Sequence, residues 1–142
     1  MSGHTSSPLV LSVNSGSSSL KITLFSRRHT GGDDGAAIDI VLNASISGIT
    51  SPPANFTVKG SPSVASNQKD QLDIEETVDS IHDHASAFVH FLRCMEEKAS
   101  IEKERIVYVC HRVVHGGDYE GPVTIDKESF HHIERLTDLA PL

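Results

Sequence analysis

A chain of 142 residues is long enough for one domain with a real core, burying roughly 68–70% of the surface its unfolded form exposes. Its hydrophobic content of 37% and aromatic content of 5%, with no tryptophan, are low for a self-sufficient domain and suit a piece that packs against more protein. The net charge of −7 and isoelectric point near 5.6 argue against nucleic acid as a partner, because that binding rests on Lys and Arg neutralising phosphates.

Residues 1–7 read as a flexible tail, with no apolar stretch of signal-peptide type. Strands are expected at Leu9–Val13, Leu20–Phe25 and Ile38–Ile49, the last broken near Asn43. Between the second and third, Arg27–Ala37 is polar, carries Gly31-Gly32 and Gly35, and reads as an exposed hairpin tip. Phe56–Lys59 reads as a short strand, and residues 60–71, rich in Ser, Pro, Asn and charge, as a mobile loop. From Val78 to Ala99, Ile81, Ala85, Phe88, Leu92 and Met95 alternate spacings of four and three, one face of an amphipathic helix with Asp79 near its start. A strand Ile106–His111 follows, and the order helix-then-strand implies a crossover into a mixed sheet. Thr124–Ile125 begins a short strand, and Lys127–Leu139 a second helix with Phe130, Ile133 and Leu136 or Thr137 inward, ended by Pro141. These elements describe one α/β domain without internal repeats, its mixed sheet led by a β-hairpin and flanked by helices. No run approaches about 18 consecutive apolar residues, so no membrane span is expected. The two cysteines, Cys94 and Cys110, suit free thiols in a reducing compartment, and a cytoplasmic protein is the simplest reading.

Two motifs carry chemistry. The first, Val13-Asn14-Ser15-Gly16-Ser17-Ser18-Ser19-Leu20-Lys21, lies between two apolar runs and reads as a tight hairpin loop. Small residues let the backbone come close, successive amides and hydroxyls can donate, and one lysine closes the far end, which suits phosphate. No Gly-Lys-Ser/Thr follows at Walker A spacing, and a flexible Gly/Ser turn is the plain alternative. The second motif, Cys110-His111-Arg112-Val113-Val114-His115-Gly116-Gly117, ends an apolar strand at a Gly-Gly turn. Strand alternation would set Arg112 and Val114 on one face, with His111, Val113 and His115 on the other. A guanidinium beside a small apolar surface suits a ligand with an anionic head and a short hydrocarbon tail. The plain alternative is a core strand whose arginine snorkels to solvent.

Other chemistries find little support. His111 and His115 lie on a strand, where a spacing of four has no meaning for zinc, and His82 and His84 on the helix lack a third ligand. His131 and His132 read as surface helix residues. Serine catalysis lacks a Gly-x-Ser-x-Gly elbow, so the loop serines better serve as hydrogen-bond donors.

The loop motif, the block His111-Arg112-Val113-Val114-His115-Gly116-Gly117 and the terminal Leu139-Ala140-Pro141-Leu142 occur in one order. Together they resemble the N-terminal part of acetate kinase, in the acetokinase family of actin-like, ribonuclease H-like ATPases. The resemblance runs from about residue 8 to 142 but covers only about the first third of a family member, whose sequence continues with His-Asn-Pro. It implies reversible phosphoryl transfer between ATP, with Mg2+, and acetate, giving ADP and acetyl phosphate. Asn14, Gly16, Ser17, Ser19 and Lys21 would shape the phosphate end of that site, Asn14 beside the magnesium. Arg112 would bind the carboxylate or the phosphoryl group in flight, with Val114 and Leu142 as apolar walls. The resemblance further implies a missing C-terminal domain that completes the cleft and forms a homodimer, so these residues alone are expected to be inactive or nearly so. Longer carboxylates such as propionate or butyrate, another phosphoryl donor, and a non-catalytic remnant that binds anions or a protein all remain open. The stretches Arg27–Ala37 and Ser51–Asp70 read as longer than in compact family members.

Overall fold

The computed structural model describes residues 7–29, 36–61, 72–114 and 116–136. The expected tail over residues 1–6, most of the hairpin tip, residues 62–71 of the expected loop, His115, and the terminal segment with Leu142 lie outside the described residues. The chain divides into two compact units, Met1–His111 and Arg112–Leu142.

The first unit is built on strands β1 (Leu9–Ser15), β2 (Ser19–His29), β3 (Ala36–Ser47), β4 (Ala54–Gly60), β5 (Asp73–Val78) and β6 (Ile106–His111). They form one sheet in the order β5-β4-β3-β2-β1-β6. Every neighbouring pair is antiparallel except β1 and β6, which are parallel. The helix α1 (His84–Ala99) precedes β6, so the crossover into a mixed sheet is present as expected.

Period-two alternation decides which residues are buried. Val13 opposite Ile22, Leu11 opposite Leu24, and Leu20 opposite Ile46 all lie on one face and are buried. Phe56 and Val58 extend that face, and Ala87, Phe91, Cys94 and Met95 of α1 cover it. The other face carries Ser12, Asn14, Lys21, Thr23 and Asn43, and Thr23 Oγ1 donates to Asn43 Oδ1 at 2.9 Å. On the core face His90 of α1 meets Glu76 of β5 at 2.9 Å and stands edge-on to the Phe56 ring.

The structure differs from the sequence reading at the helix. Residues Asp73–Val78, expected in no strand, form β5, and the helix begins at His84 rather than near Val78. The strand pattern is hidden because Glu76 occupies an inward position between Ile74 and Val78. Its charge is tolerated because the side chain stays exposed to water while its carboxylate meets His90. Asp83, rather than Asp79, caps the helix: the Ser86 N–H donates to its carboxylate and the Ser86 hydroxyl accepts from the Asp83 N–H. Ile81 and Met95 are buried as expected, but between them Ala87, Phe91 and Cys94 face the sheet, while Phe88 and Leu92 only flank it and Ala85 is exposed. Two apolar stripes at helical spacing overlap here, and the one through Phe91 wins the core.

The edge strand β6 is exposed over most of its length, with Val107 52%, Tyr108 66% and Val109 49% accessible. Cys94 and Cys110 are both free thiols, as expected. Among the described residues no helix is long and apolar enough to cross a membrane.

In the second unit, a turn closes from the Tyr119 N–H to the Gly116 carbonyl at 3.2 Å, and helix α2 (Lys127–Glu134) begins at a capping box of Asp126 and Ser129. Thr124 and Ile125 form no strand, having no ladder partner among the described residues, though the Thr124 carbonyl accepts from the Ser129 hydroxyl at 3.2 Å. Ser129 is buried while Phe130, expected inward, is 53% exposed; Ile133 and Leu136 are half-buried. The capping box turns Ser129 under the preceding segment, which swings its neighbour Phe130 outward. His131 is exposed as expected, whereas half-buried His132 stands edge-on to Tyr119.

Phe91 lies fully buried between α1 and the sheet. Phe91→Ala should cost about 3–5 kcal/mol of unfolding free energy through lost burial and a residual cavity, read by urea denaturation; a loss within about 1 kcal/mol would contradict this packing. The Ser86 hydroxyl and N–H hold the Asp83 carboxyl below the usual carboxylate range, so its stabilisation is present above the unfolded pKa and lost as pH falls through the folded one. Asp83→Asn, which still caps, should leave neutral-pH stability nearly unchanged and flatten the acid limb of the stability–pH curve. An unchanged acid slope would contradict the assignment.

Candidate active site

The hairpin turn between β1 and β2 is held by three contacts. The strand register runs through Asn14 opposite Lys21 and Ser15 opposite Leu20, so Gly16 opposes Ser19 across a two-residue tip, Ser17-Ser18. The Gly16 N–H donates to the Ser19 carbonyl at 2.8 Å. The Ser18 carbonyl accepts from the Ile49 N–H at 3.1 Å, just beyond β3. Finally, the Gly16 carbonyl lies 2.7 Å from Nε2 of His84, the first residue of α1.

Gly16 is required here by space rather than by backbone angle. A Cβ at this position would stand 2.6 Å from the Ser19 hydroxyl oxygen. The turn is therefore packed tightly around a serine expected to donate to ligand.

The side chains left over are the ones a phosphate site needs. Among the described residues no hydrogen bond or ion pair engages the side chains of Asn14, Ser17, Ser19 or Lys21, nor the Ser17 N–H. Asn14 and Lys21, directly opposite each other, are exposed on the face away from the core. An amide, hydroxyls and one ammonium thus gather at one end of the sheet without competing partners, a set able to receive an anion. The structure brings together the five loop residues that the sequence singled out.

The second motif behaves differently from its expectation. Strand β6 stops at His111, which is opposite Val13, near the end of the β1 ladder. Arg112, Val113 and Val114 therefore lie outside any strand, and the alternation expected to pair Arg112 with Val114 has no ladder to enforce it. Arg112 is exposed, with no recorded partner among the described residues, and Val114 is 82% exposed. The following turn has a clear purpose. Gly117 has φ of +60°, and a Cβ there would lie 2.7 Å from Leu136 Cδ1, so the turn admits only glycine comfortably against Leu136 just past α2.

His84 is the site-proximal residue that sequence reasoning missed as such. Its spacing from His82 invites a metal reading, yet His82 precedes the helix and among the described residues no group of three His, Cys, Asp or Glu could hold a metal ion. The usable signal was an imidazole at a helix start, within reach of a glycine loop.

The acetokinase family matches residues 9–142, nearly the whole chain. The chain belongs to the acetokinase family. A "probable acetate kinase" of Emericella nidulans is 42% identical over 136 residues, which cover 94% of this chain and 29% of that protein. An acetate kinase of Oceanobacillus iheyensis is 33% identical over 135 residues, covering 94% and 30%. The crystal structure of Porphyromonas gingivalis acetate kinase superposes with a TM-score of 0.74 at 25% identity, covering 95% of this chain and 31% of that one. The fold is accordingly that of the actin-like ATPases, and this acetokinase chain spans about 30% of the length of the relatives it matches.

Because the φ of Gly16 lies outside the left-handed region, Gly16→Ala tests the loop without gross backbone strain. The new methyl must displace the Ser19 hydroxyl. Stability should change by no more than about 1 kcal/mol, while affinity for a phosphate donor, measured by calorimetry, should fall about tenfold. Undiminished affinity would show that Ser19 takes no part in the site.

Proposed function

We propose that this acetokinase chain is the N-terminal part of an ATP- and Mg2+-dependent acetate kinase, acting in the cytoplasm and converting acetate and ATP reversibly to acetyl phosphate and ADP. The observation that carries the reading is the hairpin end, where the side chains of Asn14, Ser19 and Lys21 and the Ser17 N–H have no partner among the described residues. The ordered motifs and the acetate kinases among the relatives support the same conclusion.

Phosphoryl transfer asks a protein for positioning and charge neutralisation, because negative charge spreads over the group in flight. The Ser17 N–H and the Ser17 and Ser19 hydroxyls bind phosphate oxygens, Lys21 supplies a point charge, and Gly16 lets the backbone approach. Arg112 receives the carboxylate of acetate, or the transferred phosphoryl group, in its planar fork. Val114 and Leu142 wall the methyl group. Mg2+, when bound, neutralises phosphate charge, and the Asn14 side-chain oxygen would be a ligand this hairpin offers it. Mg2+ keeps waters and substrate phosphates in its shell, so a single protein oxygen fits, and carboxylate ligands would come from elsewhere in the protein. The remainder of the cleft, adenine recognition and the homodimer contact belong to a C-terminal domain.

A second reading is favoured by one finding. A propionate kinase of Edwardsiella piscicida is 28% identical over 136 residues. An apolar wall discriminates a methylene by only about 1–3 kcal/mol, so one valine does not fix chain length.

The complete protein should form acyl-hydroxamate from ATP, hydroxylamine and acetate, with propionate the poorer substrate; a preference for propionate would move the assignment to the second reading. Arg112→Ala should lower turnover by about 10³–10⁵, and Arg112→Lys should not restore it. Near-wild-type turnover in the alanine variant would overturn the role given to Arg112.

A further inference from the structure

We infer that His84 is a positioning residue for phosphoryl transfer, aiming the Ser17 amide of the hairpin loop at the phosphate through its bond to the Gly16 carbonyl. The inference rests on the proposed kinase site and adds a residue from a different element to it.

An ideal two-residue hairpin turn closes with two hydrogen bonds between the residues flanking its tip. Here one is made, from the Gly16 N–H to the Ser19 carbonyl. Its reciprocal, from the Ser19 N–H to the Gly16 carbonyl, is absent, and that carbonyl instead meets His84 Nε2 at 2.7 Å. A carbonyl only accepts, so Nε2 carries the proton, and no charge on the ring is needed.

Peptide geometry then does the rest. The Gly16 C=O and the Ser17 N–H belong to one planar trans unit and point in opposite directions. Fixing the carbonyl toward the start of α1 therefore fixes the Ser17 N–H away from α1. That N–H has no partner among the described residues. Without His84 the Gly16–Ser17 peptide can rotate, and the outer turn bond from Gly16 N–H to Ser19 C=O alone does not specify its plane.

The anchor is itself rigid. His84 sits directly after the N-cap, where Asp83 and Ser86 lock the first turn through reciprocal bonds. Its helix is seated on the sheet by Ala87 and Phe91, both fully buried. The loop's orientation is in this way referred to the core rather than to the hairpin alone.

His84→Gln places an amide N–H where Nε2 was, whereas His84→Leu keeps bulk and removes the donor. In the complete protein, His84→Leu should lower kcat by about 10–100-fold with the KM for the carboxylic acid unchanged, as expected for a misaimed donor. His84→Gln should stay within about threefold of wild type, a rescue that ring packing alone would not give. The inference is overturned if His84→Leu matches wild type, or if His84→Gln is as impaired as His84→Leu. Backbone hydrogen exchange at Gly16, whose N–H donates to the Ser19 carbonyl in the turn that His84 braces, provides the second readout, independent of turnover. It should accelerate in His84→Leu and not in His84→Gln, and equal rates in all three proteins would also overturn the inference. If the wild-type protein transfers no phosphoryl group, the kinase reading fails, and the exchange rates still decide the positioning role. Should His84→Leu not fold, imidazole 15N shifts in the wild type decide: a protonated, hydrogen-bonded Nε2 supports the inference, and a bare Nε2 overturns it.

Discussion

The pairing of β1 with β2 in one register is the constraint on which the rest of the first unit depends. Val13 opposite Ile22 and Leu11 opposite Leu24 must face α1 to be buried. Because strand side chains alternate, Asn14 and Lys21 are then forced together on the opposite face, at the end where the chain turns. A slip of one residue would put Lys21 into the core and leucines into water. The hydrophobic effect, acting on the inner residues, thus places the polar ones, and loop chemistry needs only to supply a tip that does not consume its own donors.

That last condition is met by borrowing partners from outside the hairpin. The Gly16 carbonyl goes to His84 and the Ser18 carbonyl to the Ile49 N–H, so acceptors that would otherwise compete for loop amides are occupied. The conformation of the loop is consequently tied to α1 and to the segment after β3. A short Gly/Ser loop alone would be floppy, since glycine and serine restrict the backbone little. Its order comes from the elements around it.

The sequence made the hairpin, the crossover helix, β6 and the position of the five loop residues at the turn legible, because each rests on local patterning or on a motif. What it concealed has physical causes. Glu76 breaks the apolar alternation of β5 and is stabilised by His90, fourteen positions away, a contact invisible to any window of sequence. The rotation of α1 toward Ala87 and Phe91 was decided by which side chains fill the sheet's groove, since Ala85 and Phe88 offer an equally periodic stripe. Strand β6 ends at His111 as expected, opposite Val13 and short of the end of β1, so the alternation expected to pair Arg112 with Val114 has no ladder behind it. His84 joins the site across 68 positions of sequence through one hydrogen bond, and such a contact leaves no spacing to read.

The exposed residues of β6, Val107, Tyr108 and Val109, and the exposed Val114 and Phe130 of the second unit leave apolar side chains in water that further protein could cover. That surface agrees with a chain that spans about 30% of its relatives' length. The most direct test of the account is amide hydrogen exchange of the complete protein with and without Mg-ATP, resolved at residues 15–19. Protection that rises at Ser17 when the nucleotide is added is the result expected of an open anion cradle at the hairpin end. Exchange at Ser17 that is unaltered under saturating nucleotide would contradict it, and the loop would then be no more than a turn.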